Sequence, residues 1–143
     1  MKIRQKVIDN IAAVANSINL EIGGILGSSK DGVITDMIED LPLNKVGCKF
    51  DYSPNIDFLN MKIEIWAEND IEFMGIFHTH FSGSKNLSDA DIEYIKEIML
   101  SSKGIVEYLY FPLFTLPDNE LTVYKAYFNN ANIVVDKDEL IIV

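Results

Sequence analysis

The run Ile71-Glu72-Phe73-Met74-Gly75-Ile76-Phe77 is apolar at every position but Glu72 and stops at His78-Thr79-His80. A short run of this kind reads as a largely buried strand, so the rest of the chain has to cover it. From Ile3 through Val7, Ile11, Val14 and Ile18, apolar residues recur at three- and four-residue steps. That spacing predicts an opening amphipathic helix. Two short apolar runs, 21–27 and 33–38, flank Lys30-Asp31-Gly32, and the Asp-Gly step predicts a hairpin of antiparallel strands.

Ser53-Pro54 offers an N-cap followed by proline at the first helical position, with Ile56, Leu59, Ile63 and Trp66 on one face. A second helix over about 54–68 is expected. A loop over 81–87 leads to a third helix starting near Ser88. Segments 106–116, 121–128 and 133–143 are β-rich, with turns at Pro117-Asp118-Asn119 and at 129–132. The order α-β-β-α-β-α-β-β-β predicts a mixed sheet with helices packed on it, an α/β or α+β domain in one piece over residues 1–143.

With 143 residues and 48% apolar composition, the chain can bury a proper core without covalent staples. No stretch approaches the roughly 18 consecutive apolar residues of a membrane span, and the N-terminus reads as amphipathic helix rather than signal-peptide core. A cytoplasmic protein with no membrane partner is expected. Cys48 is the single cysteine, which excludes an internal disulfide and a thiolate metal cage. Packing accounts for it better than nucleophilic catalysis does. The formal charge of −10, from 22 acidic against 12 basic residues, repels phosphate backbones and argues against nucleic acid as a partner.

The chemistry concentrates around the only two histidines, His78 and His80. Strand side chains two apart share a face, so both imidazoles can reach one ion. A cupin-type reading of His-x-His needs a glutamate four or five residues further on, where this chain has Ser84 and Lys85. Ser88 and Asp91 complete a pattern His-x-His-x7-Ser-x2-Asp. Ser88-Asp89-Ala90-Asp91 also reads as a helix capping box, with Leu87 and Ile92 as its hydrophobic staple. Capping alone leaves unexplained why this helix start follows a histidine pair by a short loop. Two histidines, an aspartate and an open position are the coordination expected of a catalytic zinc. Such a site needs a base, and Glu21, beside Gly23 and Gly24, is the candidate.

Taken together, Glu21-Ile22-Gly23-Gly24-Ile25-Leu26-Gly27, then Met74 to His80, then Ser88 and Asp91, resemble the JAMM (MPN-plus) metalloproteases, and most closely their prokaryotic JAB branch. The likeness extends to element order, including Tyr52-Ser53-Pro54 before the middle helix. It implies a single MPN/JAB domain with cytidine-deaminase-like layering. It also implies one zinc on His78, His80 and Asp91, Glu21 as general acid/base and Ser88 as oxyanion stabiliser. The implied reaction is hydrolysis of an amide bond at the tail of a ubiquitin-like protein or its conjugate, the tail lying along a strand edge near Gly23 and Gly24. Peptidases acting on cell-wall or phage-tail peptides and catalytically silent MPN scaffolds are the alternatives. Two features depart from the family: Phe81 stands where proline is usual, and the spacing from Gly24 to Gly27 is one residue short. The sequence leaves the oligomeric state open.

Overall fold

The computed structural model describes residues 1–29, 31–40, 52–81 and 83–143. Cys48 lies outside them, as does Lys30 of the expected turn. In chain order the elements are β1 (Lys2–Ile3), α1 (Gln5–Ser17), β2 (Gly23–Ser28), β3 (Val33–Ile34), β4 (Asp36–Glu39), α2 (Ile56–Glu68), β5 (Glu72–His80), α3 (Asp89–Ser101), β6 (Tyr108–Tyr110), β7 (Leu113–Thr115), β8 (Glu120–Asn129), β9 (Asn132–Asp138) and β10 (Ile141–Ile142). None of the described helices is long and apolar enough to cross a membrane.

The apolar run becomes β5, buried from Met74 to His80 at the centre of a mixed seven-stranded sheet. Antiparallel β2 and then β4 lie on one side of it. On the other side β6 and β7 run parallel to β5, followed by antiparallel β8 and β9. Helices cover both faces. On one, Val7, Ile11 and Ala15 of α1 pack against Leu26, Met74, Phe77 and Phe114. On the other, Leu59 and Trp66 of α2 and Ile95, Ile98 and Met99 of α3 pack against Ile25, Ile76, Leu109 and Leu113.

One irregularity decides which face the histidines take. Leu26 pairs with Gly75 but Gly27 pairs with Phe73, so β5 carries one extra residue at Met74. Such a bulge reverses the alternation of every side chain beyond it. Met74 and Phe77 therefore face α1, while Ile76, His78 and His80 face α2 and α3. Gly75 has φ +155°, and a Cβ built there would lie 1.8 Å from the Tyr110 carbonyl oxygen. We predict that Gly75→Ala destabilises the fold by roughly 3 kcal/mol or more, from backbone strain plus overpacking. Chemical denaturation checks this, and parental stability would show that the bulge tolerates a side chain.

Five expectations need correction. The chain opens with a strand rather than a helix, because Ile3 pairs with both Ile142 and Ile34. Helix α1 then buries Ala15 rather than Val14. The expected strand 33–38 is two strands in different sheets. It divides at Thr35, whose hydroxyl engages the Ser29 amide and the Asp36 carboxylate and takes that residue out of regular pairing. The cap of α2 is Asn55 rather than Ser53, since the Asn55 side chain accepts from the Phe58 amide while its own N–H donates to Asp40. The last β-rich segment likewise ends in a different sheet, with β10 alongside β1. By contrast the Asp-Gly turn adopts the left-handed conformations expected of it, with φ 53° at Asp31 and 72° at Gly32.

Candidate metal centre

Helix α3 begins where the sequence places it because the capping box is real. Ser88 Oγ accepts from the Asp91 N–H at 3.1 Å, and Asp91 Oδ2 accepts from the Ser88 N–H at 2.8 Å. That reciprocal bond fixes the Asp91 carboxylate, which then faces the histidines. Asp91 Oδ1 lies 3.2 Å from His78 Nε2, Oδ2 lies 3.1 Å from His80 Nε2, and the two Nε2 atoms are 3.2 Å apart. Zinc bonds of about 2.0–2.1 Å at tetrahedral angles put ligand atoms about 3.3 Å apart, so the donor spacing fits one such ion. Among the described residues, these three form the one cluster of metal-ligand type with donor atoms all within 4.8 Å of one another.

The outer ring nitrogens are also engaged. His80 Nδ1 lies 3.2 Å from the Ser84 carbonyl oxygen, and His78 Nδ1 lies 3.0 Å from the Tyr94 hydroxyl. With an ion held at both Nε2 atoms, each Nδ1 would carry the hydrogen and donate it outward, the usual arrangement for a metal-binding imidazole. Burial lowers the pKa of His78, against the pull of Asp91, and keeps its imidazole neutral. His80 is raised, chiefly by its hydrogen bond to Asp91. Burial pushes the Asp91 carboxyl up, but the bonds to both histidines outweigh it and hold the group below the ordinary carboxylate range.

Glu21 precedes β2; Tyr94 is raised chiefly by burial and His80 chiefly by Asp91, and the Glu21 charge adds a smaller push in the same direction on each. Thr79, the residue between the histidines, holds this segment in place. Its N–H donates to the Ile22 carbonyl at 2.9 Å, and its Oγ1 accepts from the Ile22 N–H at 2.9 Å, in place of a main-chain acceptor. Gly23 pairs with His78 and its carbonyl accepts from the Asp40 N–H, while Gly24 pairs with Phe77 and Glu39. Both edges of β2 are thus occupied at these glycines. A Cβ on Gly23 would meet the Tyr52 ring at 2.4 Å, and one on Gly24 would meet the Ile38 carbonyl oxygen at 2.2 Å. Their missing side chains make room for the chain's own packing, and among the described residues the strand at this end of the sheet is β4 rather than β2.

The sequence marks Tyr52 and Phe81 but not what they touch. The Tyr52 ring stacks on His78 at 6.1 Å between centroids, and its hydroxyl donates to the buried Asp40 at 2.6 Å. The Tyr124 hydroxyl donates to the Lys85 carbonyl, and the Gly83 N–H to the Leu116 carbonyl, tying down the loop before Ser88. Phe81 packs against the core on the α1 side. Tyr94 was also accessible to pattern reading, since it follows Asp91 by three residues and so shares its helix face.

No protein-family model and no curated protein sequence matches the chain. Solved structures do. Protein DSY2949 from Desulfitobacterium hafniense superposes with TM-score 0.67 at 18% identity, over 99% of this chain and 92% of its own. AF2198 from Archaeoglobus fulgidus, a JAB1/MPN domain protein, gives TM-score 0.59 at 21% identity, covering 100% and 99%. A protein from Salinibacter ruber gives 0.62 at 12%, covering 100% and 92%. The chain therefore has the mixed α+β fold of a JAB1/MPN domain protein, with a buried His-His-Asp group able to hold a metal ion.

Proposed function

We propose that this chain is a single-domain, cytoplasmic zinc metallopeptidase of the JAMM type. Its proposed substrate bond is the amide at the C-terminal tail of a ubiquitin-like protein or its conjugate. The observation that carries the reading is the convergence of His78 Nε2, His80 Nε2 and the Asp91 carboxylate at 3.1–3.2 Å. Two imidazoles and one carboxylate are three ligands of the types zinc takes in catalytic sites, where a fourth position stays open. When bound, the ion supplies Lewis acidity toward a carbonyl oxygen and lowers the pKa of water.

The chain's own groups supply the rest. Glu21 takes a proton from the attacking water and returns it to the departing nitrogen. Ser88 Oγ accepts from the Asp91 amide, which leaves its hydroxyl hydrogen free to donate to an oxyanion. Ser88 is exposed where Asp91 is buried, which supports a hydroxyl that a substrate could reach. An extended tail pairing with the edge of β4 would gain main-chain hydrogen bonds next to the site.

Metal analysis tests the foundation. The purified protein is expected to carry about one zinc per chain, and His78→Ala or Asp91→Ala to lose most of it. Unchanged zinc content in both variants would overturn the reading.

A further inference from the structure

We infer that Tyr94 is a positioning residue that holds His78 in its metal-binding tautomer, so that one turn of α3 supplies both a ligand and that ligand's outer support. This rests on the metal site proposed above. Asp91 and Tyr94 are three residues apart on α3 and reach the two ends of the same imidazole. Asp91 Oδ1 is 3.2 Å from Nε2, and the Tyr94 hydroxyl is 3.0 Å from Nδ1. His78 is fully buried, so its Nδ1–H depends on a protein partner rather than bulk water.

The phenol is held in place by its neighbours. Phe111 lies 6.3 Å from it at an interplanar angle of 65°, and Tyr52 lies 6.3 Å away at 87°. His78 itself meets the Tyr94 ring nearly edge-on, at 5.8 Å and 83°. These are ring contacts, and phenylalanine at position 94 keeps them. The single atom lost in Tyr94→Phe is the oxygen that accepts from His78. His80 has no such dependence on a side chain, because its outer nitrogen donates to the Ser84 main-chain carbonyl. The two histidines of the pair are thus supported differently, and only one support can be removed by substitution.

The test compares the parent with Tyr94→Phe, using zinc alone as the probe. Chelator competition gives the zinc dissociation constant, and nitrogen–proton correlation spectra of the zinc-loaded proteins report the tautomer of each histidine and the exchange rate of its Nδ1 hydrogen. Loss of an outer partner typically costs about 10–100-fold in metal affinity. We expect a rise of that size in the dissociation constant, with faster exchange at His78 Nδ1 and an unchanged His80 signal. A merely structural tyrosine would move the melting temperature and leave the His78 signal alone. Parental affinity and an unchanged His78 signal in Tyr94→Phe overturn the inference while leaving the metal site standing. A parent that binds no zinc overturns the metal site, and this inference with it.

Discussion

Glu21→Gln is expected to keep the fold and the zinc while lowering turnover by roughly 10²–10⁴-fold, the usual contribution of a general acid/base. Glutamine preserves size and hydrogen-bonding reach and removes the ability to accept a proton. The substitution touches none of the three ligands. It also leaves the Ile22–Thr79 bonds that hold this segment against β5, because those use the Ile22 main chain and the Thr79 side chain. The measurement is cleavage of a ubiquitin-like fusion or conjugate alongside metal content. A zinc-loaded Glu21→Gln protein that cuts at the parental rate would assign the base to another residue.

For Ser88→Gly we expect turnover to fall by about 10²–10³-fold, with zinc and fold retained. The structure shows why this substitution separates the two roles of one side chain. As an N-cap, glycine replaces serine at a cost of a few tenths of a kcal/mol, whereas alanine costs about 1 kcal/mol. The bond that fixes Asp91 Oδ2 comes from the backbone N–H of residue 88, and glycine provides that N–H equally well. The ligand should therefore stay in place. An oxyanion donor acts only as charge develops, so the loss belongs in kcat with KM little changed. Near-parental kcat in a folded, zinc-loaded Ser88→Gly protein would leave Ser88 as a helix cap only.

Much of the centre was legible because its ligands lie on regular elements with strong local signals. The apolar run ending in His-x-His fixes the strand, and Ser88 to Asp91 fixes the start of α3. What escaped depends on tertiary context. The bulge at Met74 is visible only in the pairing of β2 with β5, since an apolar run reads the same with or without an extra residue. The division at Thr35 arises from side-chain hydrogen bonds to Ser29 and Asp36, which no periodicity records. Gly23 and Gly24 are singled out by the sequence for close approach of a substrate. What approaches them, however, is Tyr52 and β4, elements distant in sequence. Tyr52 and Tyr94 look like ordinary core aromatics until the fold sets them around His78.

The pair of hydrogen bonds between Ile22 and Thr79 has a consequence for how the site comes together in time. His80 and Asp91 are 11 residues apart, whereas Ile22 and Thr79 are 57 apart. Closing the longer loop costs about 1.5 kcal/mol more chain entropy, on (3/2)RT ln n scaling. The proposed ligand set is a local structure, while the proposed base, Glu21, arrives only through a long-range strand pairing. A transient opening confined to the junction of Ile22 with Thr79 would carry Glu21 away and leave His78, His80 and Asp91 together, so the proposed base can be lost without the proposed metal ligands.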